Sequence, residues 1–194
     1  VDTLSSADVR ALGADIANMN ATAMASLDSA QIAALTTAQI AALDSADIAA
    51  LSSDAFAGLS SVQLAALSTS AFNAMGTDDL GGLTSSAMAG MTPAQIDTLT
   101  TAEIQALGTD IANLSTAAES VLTSLQVSAL TTAQLSTFDS ADVAALTSVA
   151  VVGFDSAQVA ALTSSAFNAL GTDALEALTS SAIEGITAAH VDTL

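Results

Sequence analysis

Few residue types in this chain could do chemistry. There is one histidine, His190, and no cysteine. A thiolate metal site, a Cys–His nucleophile pair and a disulfide framework are therefore excluded. His190 stands where Gln95 stands 95 residues earlier, and it reads as a surface substitution of that glutamine. Serine is everywhere, but no one serine is singled out beside His190 and an acid, as a Ser–His–Asp triad requires. The pair Gly81-Gly82 is replaced by Glu176-Ala177 in the second half of the chain, which argues against a phosphate-cradling loop. No catalytic, cofactor-binding or metal-ligating residue emerges, and the chain is expected not to be an enzyme.

Acidic residues are the remaining candidates for a cation. Calcium takes six to eight oxygen ligands. Asp28 and Asp44, and likewise Asp139 and Asp155, lie 16 residues apart, while Asp78-Asp79 becomes Asp173-Ala174 in the second half. The Gly-Gly-x-Gly-x-Asp nonapeptide of calcium-binding β-rolls is absent. Helix capping explains these aspartates without an ion. No cofactor is expected, with calcium the one that could be accommodated. Hydroxyls come in pairs, as at Thr36-Thr37, Ser52-Ser53 and Thr131-Thr132. The second of each pair is expected to form exposed rows able to carry sugars or order water. Asn20-Ala21-Thr22 and Asn113-Leu114-Ser115 match the short N-glycosylation pattern.

These side chains are carried by an octad, seen most clearly in Thr36-Thr37-Ala38-Gln39-Ile40-Ala41-Ala42-Leu43. Position eight is Leu or Met at Leu27, Leu35, Leu43, Leu51, Leu59, Leu67, Met75, Leu83, Met91, Leu99 and Leu107. Three places earlier a second large apolar residue recurs, at Ile32, Ile40, Ile48, Phe56, Leu64, Phe72, Leu80, Met88, Ile96 and Ile104. That spacing puts both on one helical face. Position one is Ser, Thr, Asp or Gly, and Thr36/Gln39, Asp44/Asp47, Ser60/Gln63 and Thr100/Glu103 match or approach the capping-box pattern. A start signal every eight residues argues against one long helix, and eight residues in two turns fits poorly with 3.6 per turn. Each octad is read as a cap plus a helix of roughly six residues, about 9 Å long. Nucleation cost makes such a helix unstable alone.

The expected fold is therefore all-α: a solenoid of very short helices, one per eight-residue repeat, stacked in a one-dimensional array. Ile, Leu, Phe and Met are expected inside, and Ser, Thr, Asp and Gln outside. Two other architectures fit the pattern less well. A single helical bundle does not explain the regularity. A β-solenoid conflicts with the Ala and Gln content and with an apolar spacing of three. Alternation of octads carrying Asp or Gln at position four with octads carrying Ala there suggests a 16-residue layer of two helices. The 24-residue separation of Gly58 and Gly82 suits three helices per coil, and 16 is preferred.

The second half copies the first at an offset of 95, with about 53 of 95 positions identical between Ser5–Leu99 and Thr100–Leu194. The domain reading is thus a first repeat unit with a leading stub at 1–99, a second at 100–194, and one continuous solenoid. Each unit holds eleven octads and one heptad, Gly13–Met19 or Gly108–Leu114. The missing residue is expected to shift register or tighten one turn. Glu119 stands where an apolar residue belongs, so Val121 is expected to replace it in a local irregularity. The tripeptide Asp-Thr-Leu at 2–4, 97–99 and 192–194 suggests ends cut from a longer array.

The net charge is −19 with a single Lys or Arg, Arg10, and aromatics are 3% with no Trp or Tyr. Nucleic-acid binding, which needs basic phosphate contacts, is excluded. Attraction to anionic membranes is disfavoured, and no apolar run approaches the roughly 20 residues of a membrane span. The acidity reads as a solvated, self-repelling surface.

The strings at 35–43 and 130–135 resemble short tandem repeats of large secreted bacterial surface proteins. That resemblance implies an extracellular or cell-surface stalk, adhesin or fibre. Self-association into a homopolymer or long array is the expected partnership, by head-to-tail stacking. The alternative is an extracellular binding module, acting through calcium or through ice or glycan contact along the hydroxyl rows.

Overall fold

A computed structural model describes residues 4–192. Parts of the terminal tripeptides Asp2-Thr3-Leu4 and Asp192-Thr193-Leu194 lie outside the described residues. The described residues form 22 short α-helices and two 3-10 helices, and no strand. Each octad makes one helix of four to six residues, begun by its position-one residue in extended conformation. The capping boxes expected at Thr36/Gln39, Asp44/Asp47, Ser60/Gln63 and Thr100/Glu103 are all formed. Pro93 opens its helix behind the Thr92 cap, where a missing N–H costs nothing.

Positions six and seven decide where a helix stops. Octads ending Ala-Ala-Leu run to six residues, as in Ser29–Ala34, Thr37–Ala42 and Ser45–Ala50. Thr98 and Thr137 instead turn their hydroxyls back onto the carbonyls of Gln95 and Gln134, at 2.7 and 2.6 Å. These bonds compete with the helix ladder, and Pro93–Ile96 and Thr132–Leu135 end at four residues.

The chain divides into two compact units, Val1–Met91 and Thr92–Leu194. In the first, Ser6–Ala11 packs on Ser29–Ala34, that helix on Ser53–Phe56, and that on Thr77–Gly81. A second column runs through Gly13–Asn18, Thr37–Ala42, Ser61–Ala66 and Ser85–Met88, and a third through Ala21–Ala25, Ser45–Ala50 and Thr69–Phe72. The second unit has the same plan. Its columns are Pro93–Ile96, Thr116–Glu119, Ser140–Ala145, Ser164–Asn168 and Ala188–Val191; then Thr101–Ala106, Ser124–Ala129, Ser148–Val151 and Thr172–Ala177; then Gly108–Asn113, Thr132–Leu135, Ser156–Ala161 and Ser180–Ile183.

Every helix thus packs on the third one along, and the layer is 24 residues, not 16. Three sides enclose an interior that takes the position-five and position-eight side chains of three octads. The alternation between octads reflects what position four must do locally and does not set the layer. Glycine is the better guide: a Cβ on Gly58 would fall on the Ser29 carbonyl, and on Gly153 on that of Ser124. Twelve octads or heptads per 95 residues is a whole number of three-helix turns, so the residue 95 further on holds the same coil position within its own unit.

The heptads become the 3-10 helices Gly13–Asn18 and Gly108–Asn113. A 3-10 helix rises about 2.0 Å per residue against about 1.5 Å in an α-helix, so a shorter repeat spans its side of the coil. The turn into each requires positive φ, 58° at Gly13 and 56° at Gly108, a conformation glycine adopts at no steric cost.

The apolar expectations hold: the position-five and position-eight residues named above are buried, apart from half-buried Leu51. Two expectations fail. Glutamine is inside, with Gln31, Gln39, Gln63, Gln95, Gln126, Gln134 and Gln158 all buried. Glu119 also occupies the core, at 0% exposure, while Val121 is only half-buried. The surrounding helix, Thr116–Glu119, is regular behind its Ser115 cap.

Candidate functional site: the buried polar ladder

The buried glutamines solve a problem set by short helices. An α-helix leaves its first N–H and last C=O groups without internal partners, and helices this short consist largely of ends. Gln63 illustrates the solution. Its Oε1 accepts from the Ser60 N–H at 2.9 Å, closing the cap of its own helix. Its Nε2 donates to the carbonyls of Ile32 and Leu35, at 3.0 and 2.8 Å, at the end of a helix in the preceding coil. Gln126 repeats this with the N–H of Thr123 and the carbonyls of Ile96 and Leu99, each at 2.9 Å. Gln158 serves Val127 and Leu130, and Gln134 serves Ile104 and Gly108. Asp and Glu can accept at this position but offer no such donor.

His190 belongs to the same ladder and is not at the surface: it is 2% exposed. Its Nδ1 accepts from the Thr187 N–H at 3.3 Å, and its Nε2 meets the Leu162 carbonyl at 2.9 Å. A carbonyl only accepts, so Nε2 carries the proton and the imidazole copies both bonds of a glutamine. The ring stacks on Phe167 at 4.4 Å between centroids, 11° from parallel.

The aspartates considered for calcium are caps. The carboxylate of Asp28 accepts from the Gln31 N–H, Asp155 from Gln158, Asp44 from Ala46 and Asp47, and Asp139 from Ala141 and Asp142. Asp28 and Asp44 cap helices in different columns, as the three-helix coil demands. Asp79 closes its turn by accepting from the Gly76 N–H at 2.8 Å. At exposed Asp8, hydrogen bonds from the Ser5 side chain and backbone hold the carboxyl below the ordinary range. Among the described residues, no three His, Cys, Asp or Glu side chains are grouped to hold a metal ion.

Position-two hydroxyls stack down one column at Ser6, Ser29, Ser53 and Thr77, of which only Ser6 and Ser53 follow another hydroxyl and Ser6 and Ser29 are half-buried. Several of these hydroxyls are engaged by the next coil: Ser6 donates to the Ala30 carbonyl, Ser140 to Ser165 and Ser164 to Ala189. Of the two glycosylation patterns, Asn20 caps its helix through Oδ1, and Asn113 donates to the Asp110 carbonyl. Arg10, the single cation, lines a recess of about 240 Å³ with Gly13, Ala14, Thr36, Ala38 and Gln39, beside the first 3-10 helix.

Glu119 breaks the pattern. No N–H group donates to either of its oxygens, and its helix packs beneath Ser140–Ala145, which brings Asp142 and the Asp139 cap above it. Burial first, then the Asp142 charge, push the Glu119 carboxyl up to about 8. Burial likewise raises Asp142, whose carboxyl accepts from the Asp139 N–H at 2.7 Å and is near enough to share the Glu119 proton. Glu119 was visible in the sequence as a misplaced charge. Its pairing with Asp142 was not, because the two are brought together only by the three-helix turn.

No helix among the described residues is long and apolar enough to cross a membrane. No curated protein and no solved structure matches the chain. A family profile described as the ALTTAQ repeat matches residues 13–45, 40–77, 72–109 and 135–172. The string itself is read at Ala34–Gln39 and again at Ala129–Gln134. With more than half of its length so matched, and with that string forming the corner, the cap and the inner glutamine of a coil, the chain belongs to the ALTTAQ repeat family.

Proposed function

We propose that this chain is a structural, non-catalytic repeat segment of an extracellular bacterial fibre, filament or adhesin stalk, assembled by head-to-tail stacking. The self-similar contact between successive coils carries the reading. At position five, a residue followed by another coil in its unit is sealed, as Ile40 and Val159 are. Ile183 and Val191, in the last described turn, are 49% and 56% exposed. Within a unit the following coil supplies this cover, and a coil of a second copy would offer the same surface. The acidic surface keeps stacks apart side by side, which leaves the ends as the favoured contact. The surface location rests on the resemblance of the octads to secreted bacterial repeats.

Electron microscopy with and without a calcium chelator tests the proposal. Filaments that survive chelation support apolar stacking, filaments that dissolve make the acidic caps metal ligands, and monomers alone overturn assembly. The alternative reading, a binding module, draws on the hydroxyl rows. Binding to a glycan array or thermal hysteresis in freezing would favour it.

A further inference from the structure

We propose that Glu119 makes the second unit a proton-locked stack: protonated, it seals the contact between helices Thr116–Glu119 and Ser140–Ala145, and its ionisation opens that contact. Glu119 is fully buried, and no N–H group donates to either of its oxygens. A carboxylate there would leave water with no compensating bond, an expensive state for a buried charge. The elements packed against its helix offer no cation. Ser140–Ala145 and its cap bring Asp142 and Asp139, and Pro93–Ile96 carries no titratable side chain. Asp142 lacks the amide donor that Gln126 and Gln158 supply at the same octad position, so a shared proton is what joins the two carboxyls. In the first unit Met24 holds the equivalent place beneath Asp44 and Asp47, also fully buried. The device therefore exists in one unit and not in the other.

The direction in pH follows from the raised carboxyl. Glu119 keeps its proton in the closed stack up to about 8, against 4.5 for an ordinary glutamate. The stabilisation is complete below 4.5 and is lost as pH rises through 8. Between pH 6 and 9 the opening equilibrium should increase on the order of 100-fold.

The experiment uses the full chain. The carboxyl carbons of its four glutamates are followed by NMR against pH. Amide hydrogen exchange, normalised to intrinsic rates, is compared at pH 6 and 9. The expected result is one glutamate titrating near 8, a signal absent from Glu119→Met. Protection should fall at 116–119 and 140–145 and persist at 21–25 and 45–50. Glu119→Met and Glu119→Gln should both keep protection at pH 9, and Asp142→Asn should move the titration downward. Four glutamates titrating together near 4.5 would overturn the proposal. So would equal loss of protection in both units, or the same loss in Glu119→Met.

Discussion

Met24 and Glu119 hold the same place in the two units, and each lies beneath a helix capped by a pair of aspartates, Asp44/Asp47 or Asp139/Asp142. Both are fully buried. Their helices differ little: Ala21–Ala25 begins at an Asn20 cap and Thr116–Glu119 at a Ser115 cap. The coil therefore tolerates a carboxyl in its interior without changing course. Its path is set elsewhere, by caps, by glutamines that tie the starts of their own helices to the end of a helix one coil away, and by glycines at the close approaches. A position-five side chain has only to fill its share of the interior. What changes between the units is how the stack answers to protons.

The largest expected effect comes from moving the carboxyl. Met24→Glu places an unpartnered acid beneath Asp44 and Asp47, and near neutral pH it should destabilise the first unit by about 3–5 kcal/mol. Most of that loss should return below pH ~4.5, where the carboxyl is protonated in the folded and unfolded chain alike. Urea unfolding at pH 4 and 7, followed by amides of 21–25 and 45–50, checks this. A pH-independent loss would mean that shape, not charge, separates Met24 from Glu119.

The next effect should be equal in the two units. Gln126→Met keeps much of the side-chain volume but strands the N–H of Thr123 and the carbonyls of Ile96 and Leu99. Gln63→Met does the same to Ser60, Ile32 and Leu35. Each should cost about 1–3 kcal/mol in denaturant titrations. A much smaller loss in one unit would show that its ladder has another source of bonds, and would break the equivalence on which the Met24/Glu119 comparison stands.

The apolar frame was legible in the sequence because periodicity specifies a helical face, and the Leu and Ile stripes fill the core. The caps were legible because Thr36 and Gln39 sit three residues apart inside one helix. The three-helix turn was less so, since the angle at each corner is not written in the octad. Only Gly58 and Gly82, one layer apart, carried it. The burial of Gln63 and His190 was hidden for a related reason. A polar side chain reads as surface until two coils are stacked and the orphan carbonyls at a helix end become its partners.

His190→Gln restores at position four the residue that Gln95 supplies in the first half. It retains a donor and an acceptor for Leu162 and Thr187 but gives up the stack on Phe167. An aromatic pair is worth about 0.5–1.5 kcal/mol beyond its buried area, so a loss within that range is expected in thermal or urea unfolding. A larger loss would mean that the imidazole has a role in the second unit beyond standing in for glutamine.

The smallest effect concerns the outer face. Leu125, Val149 and Val152 are exposed on two stacked helices of the second unit, where the first unit has Ala30, Asp54 and Ala57. Val149→Asp restores the acid of the first unit at an exposed site, and its stability should stay within about 0.5 kcal/mol of the parent. Its value is in separating side from end. If assembly runs through the coil ends, Ile183→Asp should shorten the particles seen by sedimentation or microscopy, and Val149→Asp should leave their length unchanged. The reverse outcome would move the assembly contact from the end of the coil to this flank, and the second unit, which alone carries the patch, would then supply the contact.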